Sequence, residues 1–144
     1  MQIDPRGPRF VAGITSGVLA LVLITGSPWL LVAQAVFFAI GAFAGITKSP
    51  YSRLFARLVR PRLAPPAELE DARPPQFAQL VGFGFATVGV IAFALGAPAV
   101  AFVAVAAALA AAFQNAAYGY CLGCEMYLLG RRLLSRPVPA AVAD

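Results

Sequence analysis

Two stretches without a formal charge decide most of what this chain can fold into. Thirty-eight residues separate Arg9 from Lys48, and fifty-one separate Arg73 from Glu125. A bilayer core about 30 Å thick takes roughly 20 apolar residues per helix, and a buried helix of a water-soluble domain needs fewer. The first run therefore accommodates two short spans and the second two longer ones. Composition points the same way: of 144 residues 60% are hydrophobic and 12% charged, with a mean hydropathy of +0.80, outside the range of a water-exposed globule. The expected class is all-α, an integral membrane four-helix bundle.

Gly26-Ser27-Pro28 interrupts the first run and Gly96-Ala97-Pro98 the second. Glycine permits the turn and proline cannot continue a helix, so each break reads as a tight hairpin. The spans are expected at about 9–25, 29–47, 77–95 and 98–120. All eleven cations lie in the N-terminal segment, the middle loop or the C-terminal segment, and neither hairpin turn carries one. Lys and Arg beside spans stay in the cytoplasm, which predicts a multi-pass protein of the plasma (inner) membrane with both termini and the middle loop cytoplasmic. The net charge of +5 then reports orientation, and no nucleic-acid partner is expected, because these cations flank spans and form no binding module. Residues 1–9 are short and basic like the start of a signal peptide, yet no small-x-small site precedes Pro28, so the segment is expected to be retained.

An internal repeat underlies the two runs. Asp4, Arg6, Pro8 and Phe10 recur as Asp71, Arg73, Pro75 and Phe77 at an offset of 67, and the two Gly-x-Pro breaks align at an offset of 70. The expected plan is two duplicated helical hairpins in one membrane domain: repeat one about 4–63, a Pro-rich cytoplasmic linker about 61–75, and repeat two about 71–137, closing at Arg60-Pro61 and Arg136-Pro137. Both copies start on the same side, so the repeats run parallel, and a site between the halves is plausible. Ser49-Pro50 reads as a cap and first helical residue, followed by Arg53, Arg57 and Arg60 on one side and Leu54, Phe55, Leu58 and Val59 on the other. That is an interfacial amphipathic helix whose cations face the membrane surface. Gly13 and Gly17, Gly41 and Gly45, and Gly119 and Gly123 form small-x-x-x-small pairs, expected to serve close packing within the bundle, with homo-oligomerisation as the competing use.

Histidine is absent, which removes His-based triads, bis-His haem, most catalytic zinc sites and the commonest proton relay. The remaining chemistry lies in Cys121-Leu122-Gly123-Cys124, the only two cysteines of the chain. On a helix or in a turn this spacing puts the sulfurs within disulfide reach. The charge pattern places the pair at the cytoplasmic membrane surface, where a purely structural disulfide is not expected. Haem attachment would require His where Glu125 stands, and zinc would require ligands beyond two thiolates and Glu125, so no cofactor or metal is expected. Two thiols packed as small hydrophobes, and thiol chemistry, remain. If Gly119 and Gly123 break the helix, Cys121 begins a short helix whose dipole favours its thiolate; Cys121 attacks, Cys124 resolves, and Glu125 shuttles a proton. Gln114 and Asn115, polar in an apolar span, are expected to hydrogen-bond within the bundle, with Asn115 the candidate donor to a thiolate or small molecule. Tyr118 and Tyr120, with Tyr127, border the dithiol or the membrane interface, and Arg131 is a candidate partner contact.

The stretch Asn115 to Tyr127, with Asp4 to Phe10 and Ser49-Pro50-Tyr51, resembles an actinobacterial family of small membrane proteins known as a domain of unknown function. The resemblance implies four spans and a setting near thioredoxin-like proteins and sulfurtransferases, and brings no catalytic residue with it. The leading expectation is a membrane thiol protein exchanging a disulfide, or carrying sulfane sulfur, with such a partner. The alternative is a noncatalytic subunit or scaffold of a larger complex. A carrier between the halves is disfavoured, because no span interior holds an ionisable group. Quinone chemistry of the vitamin-K-epoxide-reductase kind is disfavoured by the lack of a second cysteine pair.

Overall fold

The computed structural model describes residues 1–135, and they are mostly helical. Arg136 and Pro137, the expected close of the second repeat, lie outside them. Helix α1 (Arg6–Thr25) stops at Gly26, whose left-handed backbone returns its N–H to the Val22 carbonyl. Helix α2 (Pro28–Ala39) starts at once, with the Ser27 hydroxyl accepting from the Leu30 N–H at 3.3 Å. Helix α4 (Arg73–Ala94), a turn through Gly96, and helix α5 (Pro98–Tyr118) form the second hairpin. Helix α4 begins four residues before its expected start, because Pro74 and Pro75 occupy a first turn whose N–H groups have no helical partner anyway.

Helices α1, α4 and α5 are long and apolar enough to cross a membrane, and under a third of the residues in those windows are buried inside the protein. Their outward faces are therefore apolar, as a lipid contact requires. Helix α2 differs from its expected span of 29–47. It widens into a π turn over Ile40–Ala44 and is stopped by Gly45 at φ +117°, a backbone that side chains rarely adopt. Gln76 Nε2 donates to the Ala42 carbonyl at 2.8 Å, satisfying an acceptor within the wide turn.

Segment 50–62 is helical as expected but not as a single α-helix: α3 (Pro50–Leu54) passes into a π turn (Phe55–Val59) and then a 3-10 turn (Arg60–Arg62). Phe55 is buried against Phe10 of α1, ring centroids 5.5 Å apart, while Leu54 and Leu58 stay exposed beside Arg53, Arg57 and Arg60. A further helix, α6 (Leu122–Leu134), follows α5 after the left-handed turn at Gly119; it is the short helix expected to begin at Cys121 if the span broke there.

The hairpins interlock. Helix α1 packs chiefly on α5, and α2 on α4, while the mates α1 and α2 touch far less. Leu19, Leu31, Phe38, Ala86 and Val105 form the core between them. At one end lie the starts of α1 and α4 and the ends of α2 and α5; at the other, Gly26 lies beside the ring of Phe102, which meets Phe93 edge-on at 5.7 Å.

The linker is less free than its composition suggests. Strand β1 (Gln2–Ile3) pairs antiparallel with β2 (Glu70–Asp71), and the Met1 carbonyl accepts from the Ala72 N–H at 3.0 Å. Asp4, 8% exposed, pairs with Arg6 at 2.8 Å, and Arg6 also donates to the Ala64 carbonyl at 2.9 Å. Asp4 accepts from the Arg6 N–H and Asp71 from the Arg73 N–H, both at 3.0 Å, so the matching tetrads begin their helices with the same turn.

The Arg6 hydrogen bond holds the Asp4 carboxyl below its usual range. A carboxyl whose pKa is lower folded than unfolded stabilises above the unfolded value, 3.8, and this is lost as pH falls through the folded value. Asp4→Asn should therefore flatten the acid limb of a thermal-stability profile below about pH 4. Gly82 offers a second check, since a Cβ there would stand 2.6–2.9 Å from three ring atoms of buried Phe38. Gly82→Ala should cost about 1–3 kcal/mol in reversible unfolding in detergent, and Phe38→Leu in the same chain should restore part of it.

Candidate functional site

The cysteines sit where the chain turns from α5 into α6. Gly119, at φ +69°, ends α5 in the left-handed conformation that glycine accepts without penalty. Cys121 then takes an extended backbone and caps α6, its sulfur accepting from the Cys124 N–H at 3.2 Å. The two cysteines are joined as a disulfide, Cα atoms 5.2 Å apart, rather than packed as separate thiols. Of the two glycines expected to break the helix, only Gly119 does. Gly123 lies inside the first turn of α6, where a Cβ would come 2.7 Å from Cα and Cβ of Ala78. Its role is the close approach of α6 to α4, supported one turn on by Tyr127 against Phe77 at 5.7 Å.

A residue to which the sequence assigned no role beyond its charge holds this corner. Arg9, at the start of α1, donates from its guanidinium to the carbonyls of Ala116 at 3.2 Å and Ala117 at 3.1 Å. These belong to the last turn of α5, whose carbonyls lack helical partners and carry the negative end of the dipole. The partners are 107 and 108 residues apart, so only the packing of α1 along α5 brings them together.

The predicted site residues divide. Cys121, Cys124 and Glu125 come together at the start of α6, the sulfurs half-buried and Glu125 exposed in the first turn. Asn115 is half-buried one turn before the end of α5. Tyr118 is 77% and Tyr120 49% exposed, flanking Gly119, and Arg131 is exposed two turns along α6. Arg53, Arg57 and Arg60 belong to the separate segment on α1. The expected hydrogen bonding of Gln114 and Asn115 is not formed: Gln114 faces outward, and neither side chain bonds a protein group among the described residues. The buried amide with a partner is instead Gln34, 1% exposed, whose Oε1 accepts from the Tyr51 hydroxyl at 2.9 Å. Burial pushes the Tyr51 phenol up, keeping it the donor.

The small-residue pairs also serve different ends from one another. Gly41 meets the Gln79 side chain and Gly123 meets Ala78, but Gly13 and Gly17 have nothing within 4 Å of an added Cβ. That pair faces outward and does not serve packing inside the chain.

Behind Cys121 lies a cavity of about 280 Å³ between α1, α4, α5 and α6. Small residues such as Ala108, Ala111 and Gly82 leave the space, and no charged side chain among the described residues lines it. Thr15, Gln79 and Asn115 contribute polar groups to its lining. Thr15 is 2% exposed and its hydroxyl has no partner, whereas Ser16, Thr25 and Thr87 each donate to the carbonyl four residues back at 2.7–2.8 Å. A buried donor left unpaired costs about 1–3 kcal/mol. Thr15→Val should therefore raise the stability of the ligand-free protein, by about 1 kcal/mol in thermal unfolding, whereas the same change at Thr87 should not.

No match was found among curated proteins or among solved structures. The model of one protein family, described as a domain of unknown function (DUF4395), matches residues 3–132, which takes in both hairpins, the segment between them, the Cys121–Cys124 pair and nearly all of α6. The chain belongs to that family.

Proposed function

We propose that the chain is a membrane-embedded thiol protein whose Cys121–Cys124 pair exchanges a disulfide, or carries sulfane sulfur, with a thioredoxin-like or sulfurtransferase partner at the cytoplasmic face. The observation that carries this reading is the half-buried disulfide at the capped start of α6. In the reduced state Cys121 is the attacking sulfur, because the Cys124 N–H and the positive end of α6 stabilise negative charge on it. It attacks a partner disulfide; Cys124 then attacks Cys121 in the mixed disulfide, closing the internal bond and releasing the partner as a dithiol. Two electrons and two protons pass to the partner, with exposed Glu125 as proton acceptor and donor. Tyr118 and Tyr120, exposed just before the pair, and Arg131, exposed two turns along α6, form the partner-facing surface.

The setting follows from the same observations. Helices α1, α4 and α5 cross the bilayer, and α2 with its π turn, 17 residues in all, is the fourth and shortest span. The two hairpins are duplicates, which the matching Asp–Arg turns support. Arg6, Arg9, Lys48, Arg73, Arg131 and Arg132 gather at the end of the helices away from Gly26 and Gly96, so that end faces the cytoplasm of a plasma-membrane protein. Segment 50–62 presents Leu58 with Arg53, Arg57 and Arg60 to the lipid surface.

A second reading, a noncatalytic subunit or scaffold, is favoured by one feature: Gly13 and Gly17 leave an open strip on α1 suited to a second helix, of another protein or another copy. Alkylation of inside-out vesicles with a membrane-impermeant thiol reagent, read by mass spectrometry, separates the two. Both cysteines should be labelled after reduction and neither before it, and Cys124→Ser should trap a mixed disulfide with the partner through Cys121. Cysteines unreactive in both states, with co-purifying partners unchanged in the double Ser variant, would leave the scaffold reading in its place.

A further inference from the structure

We infer that the cavity behind Cys121 is the binding site for the ring of a lipid-soluble quinone that accepts two electrons from the Cys121–Cys124 dithiol. This rests on the thiol reading above and adds a small-molecule acceptor to it. The starting observation is Thr15. A helical hydroxyl normally satisfies itself on the carbonyl four residues back, as Ser16, Thr25 and Thr87 do. Thr15, 2% exposed on the cavity wall, bonds nothing among the described residues. Asn115, also on that wall, has no protein partner for its amide among the described residues. Gln79, a third polar side chain of the lining, likewise has no hydrogen-bond partner among the described residues, and three such groups around one otherwise apolar space call for a ligand that brings oxygen acceptors to them.

The remaining features narrow the chemistry. Among the described residues no charged side chain lines the cavity, so a charged head would be desolvated without compensation and the ligand is neutral. The walls are alanine-rich faces of long apolar helices, so an apolar molecule is supplied from the bilayer. A volume of about 280 Å³, near the roughly 300 Å³ lower end of ligand sites, suits a ring and excludes a long tail, which would stay among the acyl chains. Cys121 forms part of the wall, so the ligand lies against a redox-active sulfur. A phospholipid or fatty acid fails on charge and accepts no electrons. A quinone is neutral and flat, carries two carbonyl oxygens and takes two electrons.

The thiols are regenerated when the exchange above runs in the opposite direction: a partner dithiol reduces the Cys121–Cys124 bond and leaves as a disulfide. The two thiols lose two protons and two electrons as the sulfur–sulfur bond forms; each quinone oxygen gains one electron and one proton, and the quinol leaves to the lipid. The lack of a second cysteine pair is no obstacle, because the quinone meets this pair directly.

The test uses the full chain, reduced and freed of reductant, in lipid nanodiscs. A short-chain naphthoquinone is added, quinol is followed by absorbance and remaining thiol by alkylation and mass spectrometry. In parallel a water-soluble azodicarboxamide oxidises the same thiols from the aqueous side. One quinol per disulfide is expected. Thr15→Val, and Ala111→Leu to fill the cavity, should each slow the quinone reaction at least tenfold while leaving oxidation by the azodicarboxamide unchanged. The quinone should raise the Tm of the Cys121→Ser/Cys124→Ser chain, and this shift should vanish when Thr15→Val is added. Equal quinone rates in all chains, or a wild-type chain oxidised only by the azodicarboxamide, would overturn the quinone site and leave the thiol reading standing. Failure of both oxidants to close the disulfide would remove the thiol reading itself.

Discussion

Helix α4 can touch α2, α5 and α6 together because its backbone is bare or nearly so at the points of contact. Gly82 faces the ring of Phe38, Gly89 faces Leu31, and Ala78 receives Gly123 of α6. Apolar helices in an apolar surrounding gain little from hiding from water, so their association depends on how closely the backbones approach. A Cβ at Gly82, Gly89 or Gly123 would stand 2.6–2.8 Å from its neighbour, closer than van der Waals contact allows. The close approach at Ala78 seats the start of α6, and with it the disulfide, over the space between the hairpins.

That space belongs to both halves. Thr15 comes from α1, Gly82 from α4, Ala108, Ala111 and Asn115 from α5, and Cys121 from the turn after it. Three ties at the same end use the first nine residues of the chain: the short strand pair of residues 2–3 with 70–71, the Arg6 bond to Ala64, and the Arg9 clamp on the last carbonyls of α5. The N-terminal segment is thus a structural tie as well as a carrier of positive charge. The Gln76 bond to Ala42 joins the halves there as well.

Polar groups inside the assembly fall into two kinds, and the contrast is informative. Gln34 is buried and satisfied by Tyr51, a pairing that anchors segment 50–62 against α2 and gains from the Phe37–Tyr51 edge contact at 5.0 Å. Thr15 is buried and unsatisfied although a carbonyl of its own helix is within ordinary reach of a threonine. A satisfied pair reads as architecture. An unsatisfied one beside open space reads as a place kept for something else.

The long helices and their turns were legible because each depends on local chemistry: charge-free length, glycine where the backbone turns left-handed, proline where a first helical residue needs no N–H. The recurring Asp-x-Arg motif was legible for the same reason, since its two copies build the same local turn. The Cys-x-x-Cys pair stood out by spacing alone. What the sequence did not disclose involves partners distant along the chain. The π turn that shortens α2 is tied to Gln76, the inner role of Gly123 to Ala78, and the interest of Arg9 to carbonyls more than a hundred residues away. Sequence placed Gln114 and Asn115 in the assembly by their polarity, but only the rotation of α5 about its axis, set by contacts with α1 and α4, decided that Gln114 points outward, Asn115 borders the cavity and Thr15 is left without a bond. Helix formation is written in neighbours three and four residues apart; which faces meet is a property of the packed whole.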